Sequence, residues 1–182
     1  MTATARRPTI DRETVAGPMR RALGRPAAEI VDWEYRPLLG GTAGAAGEAS
    51  SALYRVAGTA TDHGGLHSWS VILKTLAPVA DADDPSDLYY WKREVLAYQC
   101  GLLADLPGGL VAPRCFGVVE HPGGGAWLWL DEIMDHCGPR WPLTCYAHAA
   151  HSLGRFNGAY LTDRVLPAAP WLSMNWVGTQ VA

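Results

Sequence analysis

Three features of the sequence could handle a phosphate. The run Leu39-Gly40-Gly41-Thr42-Ala43-Gly44-Ala45-Ala46-Gly47 is short of side chains, and where side chains are missing, backbone N–H groups can approach phosphate oxygens closely. It matches neither G-x-G-x-x-G nor the P-loop pattern, and alone it reads equally well as a flexible Gly/Ala hairpin. One strand further on, Val71-Ile72-Leu73-Lys74 would set a single ammonium near the phosphates held by that turn, although a Lys at a strand end is ordinarily just solvated. Glu94 follows Lys74 by 20 residues on the next predicted helix, where a carboxylate can reach back and hold the ammonium in a phosphate-directed rotamer. Taken singly it is an exposed helix Glu.

The elements that must position these groups follow from periodicity. Thr9 or Asp11 can cap a helix running toward Leu23, with Gly24 as its stop and Val15, Met19 and Leu23 on one face. Pro18 removes a backbone donor inside it and predicts a kink or two pieces. From Trp33 the pattern changes to strands at 35–39, 49–56 and 67–76, separated by glycine-rich connections and read as an antiparallel meander. In the third, period-two alternation sends Trp69, Val71 and Leu73 to one face and Ser70, Ile72 and Lys74 to the other. Ser86 is the expected cap of a helix whose stripe is Leu88, Trp91, Val95, Tyr98 and Leu102, with Glu94 at its edge. Strands at 114–119 and 126–131 follow, joined by a turn at Gly123, Gly124 and Gly125. A last helix over 144–161 is expected to turn Tyr146, Ala149, Leu153, Phe156 and Tyr160 inward. The tail from Pro167 has no clear element.

Composition bounds the function. Apolar residues make up 48% and charged residues 18%, with eight Trp, in 182 residues, a globular composition large enough for a core. The net charge of −3, with the arginines at 6, 7, 20 and 21 interleaved with Asp11 and Glu13, excludes a nucleic-acid footprint. No stretch approaches a membrane span and the N-terminus lacks a secretory apolar core, so no membrane partner and a cytoplasmic location are expected. Cys100, Cys115, Cys137 and Cys145 show no C-x-x-C spacing, which predicts ordinary reduced thiols and no disulfide framework.

In order, a glycine-rich hairpin, a V-x-x-K strand, a helix with a central Glu, and two strands ending in a short connector are the parts of a kinase small lobe. Over residues 30–176, including Ala126-Trp127-Leu128-Trp129-Leu130-Asp131-Glu132-Ile133-Met134-Asp135 and the later Leu153-Gly154-Arg155-Phe156-Asn157-Gly158-Ala159-Tyr160-Leu161 with Pro170-Trp171-Leu172, the chain resembles the aminoglycoside phosphotransferase and choline-kinase-like family of the protein-kinase-like superfamily. The resemblance implies an α+β fold: an N-terminal helical extension (1–30), a five-stranded antiparallel small lobe with one main helix and a connector (31–134), and the helical beginning of an incomplete large lobe (135–182). It implies ATP-dependent phosphate transfer to a hydroxyl of a small molecule, with Mg²⁺. Gly40, Gly41, Thr42, Gly44 and Gly47 would belong to the loop over the nucleotide phosphates, Lys74 would contact the α/β-phosphates and Glu94 would pair with it. Leu130 would back the adenine pocket, and the Asp131 carbonyl and Ile133 N–H would read the adenine edge.

One departure is decisive for catalysis. The family's H-x-D-x-x-x-x-N and its later metal-binding Asp are missing: none of His63, His67, His121, His136, His148 and His151 has an Asp two positions on. The sequence therefore predicts negligible turnover by this chain alone. The alternative is a non-catalytic nucleotide-binding fragment or an interaction module, with apolar surface around residues 153–176 available for association. Cys145, His148 and His151 fall at intervals of three near Cys137 and could offer Zn²⁺ a ligand set, but the match to metal spacings is loose and packed thiols with helix-surface histidines are preferred. No G-x-S-x-G elbow supports a hydrolase.

Overall fold

The computed structural model describes residues 8–38, 51–78, 83–87, 90–122, 124–138, 140–162 and 164–172. Eight regular elements follow in chain order: α1 (Arg12–Leu23), β1 (Glu29–Leu38), β2 (Ser51–Asp62), β3 (Gly65–Leu76), α2 (Arg93–Gln99), β4 (Cys115–Glu120), β5 (Ala126–Leu130) and α3 (Leu143–Thr162). The strands form one antiparallel sheet in the order β1-β2-β3-β5-β4. The architecture is α+β, as the sequence predicts.

Strand alternation divides the interior in two. Tyr54 and Val56 of β2, Trp69, Val71 and Leu73 of β3, Phe116 of β4 and Trp129 of β5 turn to one face and meet Val15 and Met19 of α1. Both α1 residues are completely buried, and removing side chains of this size from water stabilises the fold by about 2 kcal/mol each. On the opposite face, Leu76, Ala126, Leu128 and Leu130 pack with Val95 of α2, with Trp91 and Tyr98 half-buried beside it. The predicted alternation of β3 and the centre of the predicted α2 stripe therefore hold.

α1 begins at Asp11, whose carboxylate accepts the Thr14 N–H at 2.8 Å, satisfying one donor that a helix start leaves unpaired. It ends at Gly24, where φ is 66°, a left-handed conformation that costs glycine nothing sterically. It is one element: Pro18 lies within it, buried against the sheet, and does not divide it.

Several boundaries differ from the sequence expectation, those of β1, β2 and α2 most. β1 starts at Glu29 rather than 35, because an edge strand with one face in water tolerates Glu29, Asp32 and Glu34. β2 runs on to Asp62 through the small residues Ala57-Gly58-Thr59-Ala60, which carry little strand signal but are paired on both sides. At Gly58 a Cβ would lie 2.1 Å from the Asp32 carbonyl oxygen, where the register of β1 slips between Ile30 and Asp32, so the bulge needs a residue without a side chain. α2 has only seven residues. Its expected cap does something else: the Ser86 N–H and hydroxyl both donate to Asp84 Oδ1, at 2.8 and 2.7 Å, while Leu102 lies past the helix end in a 3₁₀ turn. Leu88 of the stripe is outside the described residues.

α3 has the expected extent, but its first half does not turn inward. Tyr146 is 59% and Leu153 55% exposed, Ala149 is exposed, and only Phe156 and Tyr160 are half-buried. The reason is geometric: the 3₁₀ turn Pro107–Gly109 packs against α3 at Arg155 and Phe156, and no described helix or strand covers the N-terminal half. The thiol expectation also fails. Cys137 and Cys145 form a disulfide, with Cα atoms 6.8 Å apart, because the chain between the connector and the start of α3 folds back on itself. Only Cys100 and Cys115 are free.

Candidate functional site

Lys74 lies on β3 between Leu53 of β2 and Leu128 of β5 in register, on the sheet face that α2 covers. Its ammonium therefore rises from apolar neighbours, one of them completely buried, and has a carboxylate within reach. The Nζ donates to Glu94 Oε2. The two side chains are 22% and 35% exposed, so water is partly excluded and the pair is held more firmly than a surface pair. The predicted association of Lys74 with Glu94, across one strand and one helix, is thus present in the fold.

α2 carries Glu94 in its first turn. Lys92 Nζ and Gln99 Nε2 both donate to the Glu120 carboxylate on β4, at 2.5 and 3.1 Å, bracing the helix against the sheet. These two bonds, that of Lys92 foremost, hold the Glu120 carboxyl below its usual range. One turn beyond Glu94, burial pushes the Tyr98 phenol up to about 12, and the negative charge of Glu94 adds to the effect. Tyr98 itself packs half-buried against the cluster of Val95, Leu128 and Leu130.

Strand register also shows what else shares this face. Leu53 and Arg55 on β2, Ile72 and Lys74 on β3, and Leu128 and Leu130 on β5 lie side by side. Leu130, buried and opposite Ile72, supplies apolar surface at the end where the connector begins. The Asp131 N–H donates to the Arg114 carbonyl at 2.9 Å and its carboxylate accepts from Arg114 Nε at 3.1 Å. Among the described residues, no hydrogen bond engages the Asp131 carbonyl or the N–H of Ile133, a residue that is 64% exposed. Gly40, Gly41, Thr42, Gly44 and Gly47, the glycine-rich part of the expected site, lie outside the described residues.

Sequence reasoning missed the ion pairs that surround Lys74 and Glu94, of which one ties down the connector. Arg55 Nε donates to Glu132 Oε1 at 2.7 Å, fixing the connector to the middle of β2. Hydrogen bonding to Arg55 holds the Glu132 carboxyl below its ordinary range and raises the guanidinium. Alternation along β2 puts Arg55 on the Lys74 face, but nothing local names a partner 77 residues away.

Chemically, the site sets one ammonium, oriented by a carboxylate, among apolar neighbours, beside a connector whose Asp131 carbonyl and Ile133 N–H have no hydrogen bond among the described residues. That combination suits a flat heteroaromatic ring joined to an anion. A metal ion finds less: among the described residues, no group of three or more His, Cys, Asp or Glu side chains converges on a point. The cysteine and histidine set at α3 is likewise not assembled for zinc, since Cys137 and Cys145 are bonded to each other. An apolar concavity of about 550 Å³, bordered by Leu102, Leu106, Phe156, Tyr160 and Leu172, lies away from Lys74. No helix among the described residues is long and apolar enough to cross a membrane. Comparison of the chain with protein-family models, with curated proteins and with solved structures finds no match.

Proposed function

We propose that this chain carries the ATP-gripping elements of a phosphotransferase that passes phosphate to a hydroxyl of a small molecule, in the manner of the aminoglycoside phosphotransferase and choline-kinase-like enzymes it resembles. The observation that carries the reading is the Lys74 to Glu94 ion pair between the third strand and the following helix, the pairing that kinase-like enzymes use to present an ammonium to the nucleotide phosphates. Support comes also from the kinase-like order of parts, from the apolar neighbours Leu53 and Leu128 on either side of Lys74, and from the connector groups at Asp131 and Ile133, which have no hydrogen bond among the described residues. In this reading the loop 40–47 covers the phosphates, Lys74 contacts the α/β-phosphates and the connector reads the adenine edge. Mg²⁺ would arrive on the nucleotide.

Thermal unfolding with and without Mg–ATP tests the grip. A ligand at a hundred times its Kd stabilises by about 2.7 kcal/mol, which for a chain of this size raises Tm by roughly 5–10 °C. Lys74→Ala should remove most of that shift. A wild-type protein whose Tm does not move at millimolar Mg–ATP would sink the proposal.

A second reading, a nucleotide-binding module without turnover, is favoured by one observation: H-x-D-x-x-x-x-N is missing from these 182 residues. Phosphoryl transfer depends on acceptor positioning and charge stabilisation, which those groups supply. A Mg–ATP shift without detectable ADP formation supports the module; metal-dependent ADP release by the pure chain rules it out.

A further inference from the structure

We propose that Arg93 is a positioning residue for the Lys74 to Glu94 pair, coupling α2 to the segment after α3; the inference rests on the nucleotide-gripping reading above. A seven-residue helix is too short to hold itself. α2 has no side-chain cap at its start, and only Val95 is fully buried. Its placement, and that of Glu94 with it, therefore depends on tethers. Lys92 and Gln99 secure the sheet side through Glu120. Arg93, the residue before Glu94, secures the other side: its Nε donates to the Trp171 carbonyl at 2.5 Å and its Nη2 to the Asp87 carbonyl at 2.7 Å.

Trp171 is 78 residues away in sequence, yet its segment is anchored independently. Arg164 donates to the Asp105 carboxylate at 2.6 Å and to the Asp105 carbonyl at 2.8 Å, and Leu166, Pro167 and Leu172 line the same apolar concavity as Leu102 and Leu106. A guanidinium bonding two carbonyls from different segments fixes both distance and orientation. Release of Arg93 lets the first turn of α2 swing away, and Glu94 loses Lys74. The seating of 164–172 thus becomes an input to the site.

The test reads the pair directly, without nucleotide, as the rate at which an acylating amine reagent modifies Lys74, followed by mass spectrometry. Arg93→Ala should raise that rate about threefold to tenfold, the range expected when charge-assisted hydrogen bonds hold an equilibrium. Arg93→Lys, which keeps the charge but has a single donor nitrogen and lacks the planar fork, should raise it less and carries the test if the alanine variant fails to fold. In a Glu94→Gln background neither substitution should change it, because the pair is already broken. An unchanged rate in folded Arg93→Ala protein overturns the proposal, as does an equal rise in the Glu94→Gln background, which would report general loosening. A parallel Mg–ATP titration separates the two claims: coupled labelling without ATP binding leaves the positioning role standing and removes the nucleotide reading, and ATP binding with uncoupled labelling does the reverse.

Discussion

Replacing Lys74 and Glu94 singly and together gives the sharpest test of the site. Two opposite unit charges in near contact attract by about 4 kcal/mol at an effective dielectric constant of 20, and desolvation and side-chain ordering offset most of it. Exposed pairs net roughly 0.2–1 kcal/mol, and breaking fully buried ones costs about 3–5 kcal/mol. With side chains 22% and 35% exposed, the coupling in a cycle of Lys74→Met, Glu94→Gln and the double variant should be about 1–2 kcal/mol by urea unfolding. Salt should weaken this coupling without abolishing it, since the pair is partly shielded from solvent. Mg–ATP affinity, measured by calorimetry on the same four proteins, carries the functional part. Lys74→Met should weaken binding by about tenfold or more, the loss of a charge-assisted phosphate contact. Glu94→Gln should weaken it by about threefold to tenfold, because an undirected ammonium outweighs the relief of one carboxylate's repulsion. The double variant should match Lys74→Met alone, since Glu94 acts through Lys74. Tighter ATP binding by Glu94→Gln, or a double variant weaker than Lys74→Met by the full Glu94 factor, would refute the reasoning.

Two further outcomes follow from features outside the site. Asp62 at the β2–β3 turn accepts from His67 at 2.9 Å, from Arg25 at 2.9 Å and from the Gly64 N–H at 2.7 Å, and these bonds, that of His67 first, hold its carboxyl far below the usual range. A depressed folded-state pKa contributes stability that is fully present above the unfolded value of about 4 and is lost as pH falls toward the folded value. Asp62→Asn should therefore lower stability at neutral pH and show a shallower loss than wild type below about pH 4, read from urea midpoints; parallel acid limbs would contradict the assignment. Reduction of the Cys137 to Cys145 disulfide, which closes a loop of sequence separation 8, should release about 2–3 kcal/mol of local constraint. With the N-terminal half of α3 exposed, hydrogen exchange should quicken at residues 143–147 while the sheet amides keep their protection. Equal quickening throughout the sheet would show that the clip stabilises the whole fold.

What the sequence by itself determined is local. A cap at Thr9 or Asp11 and the Gly24 stop of α1, the alternation of β3, the centre of the α2 stripe and the order of the parts are written in neighbouring residues, because caps and periodicities act within a few positions. Lys74 and Glu94 could be proposed as partners because the order of parts resembles a kinase-like small lobe, in which such a pair is implied. Tertiary structure decided the rest. Arg55 finds Glu132 across 77 residues and Arg93 finds Trp171 across 78, distances over which no sequence period operates. β1 keeps its charged residues because it is an edge strand, the first half of α3 stays exposed because no described helix or strand covers it, and Cys137 meets Cys145 because the chain turns back between connector and helix. Each of these depends on which surfaces face each other, and that is settled only when the elements pack.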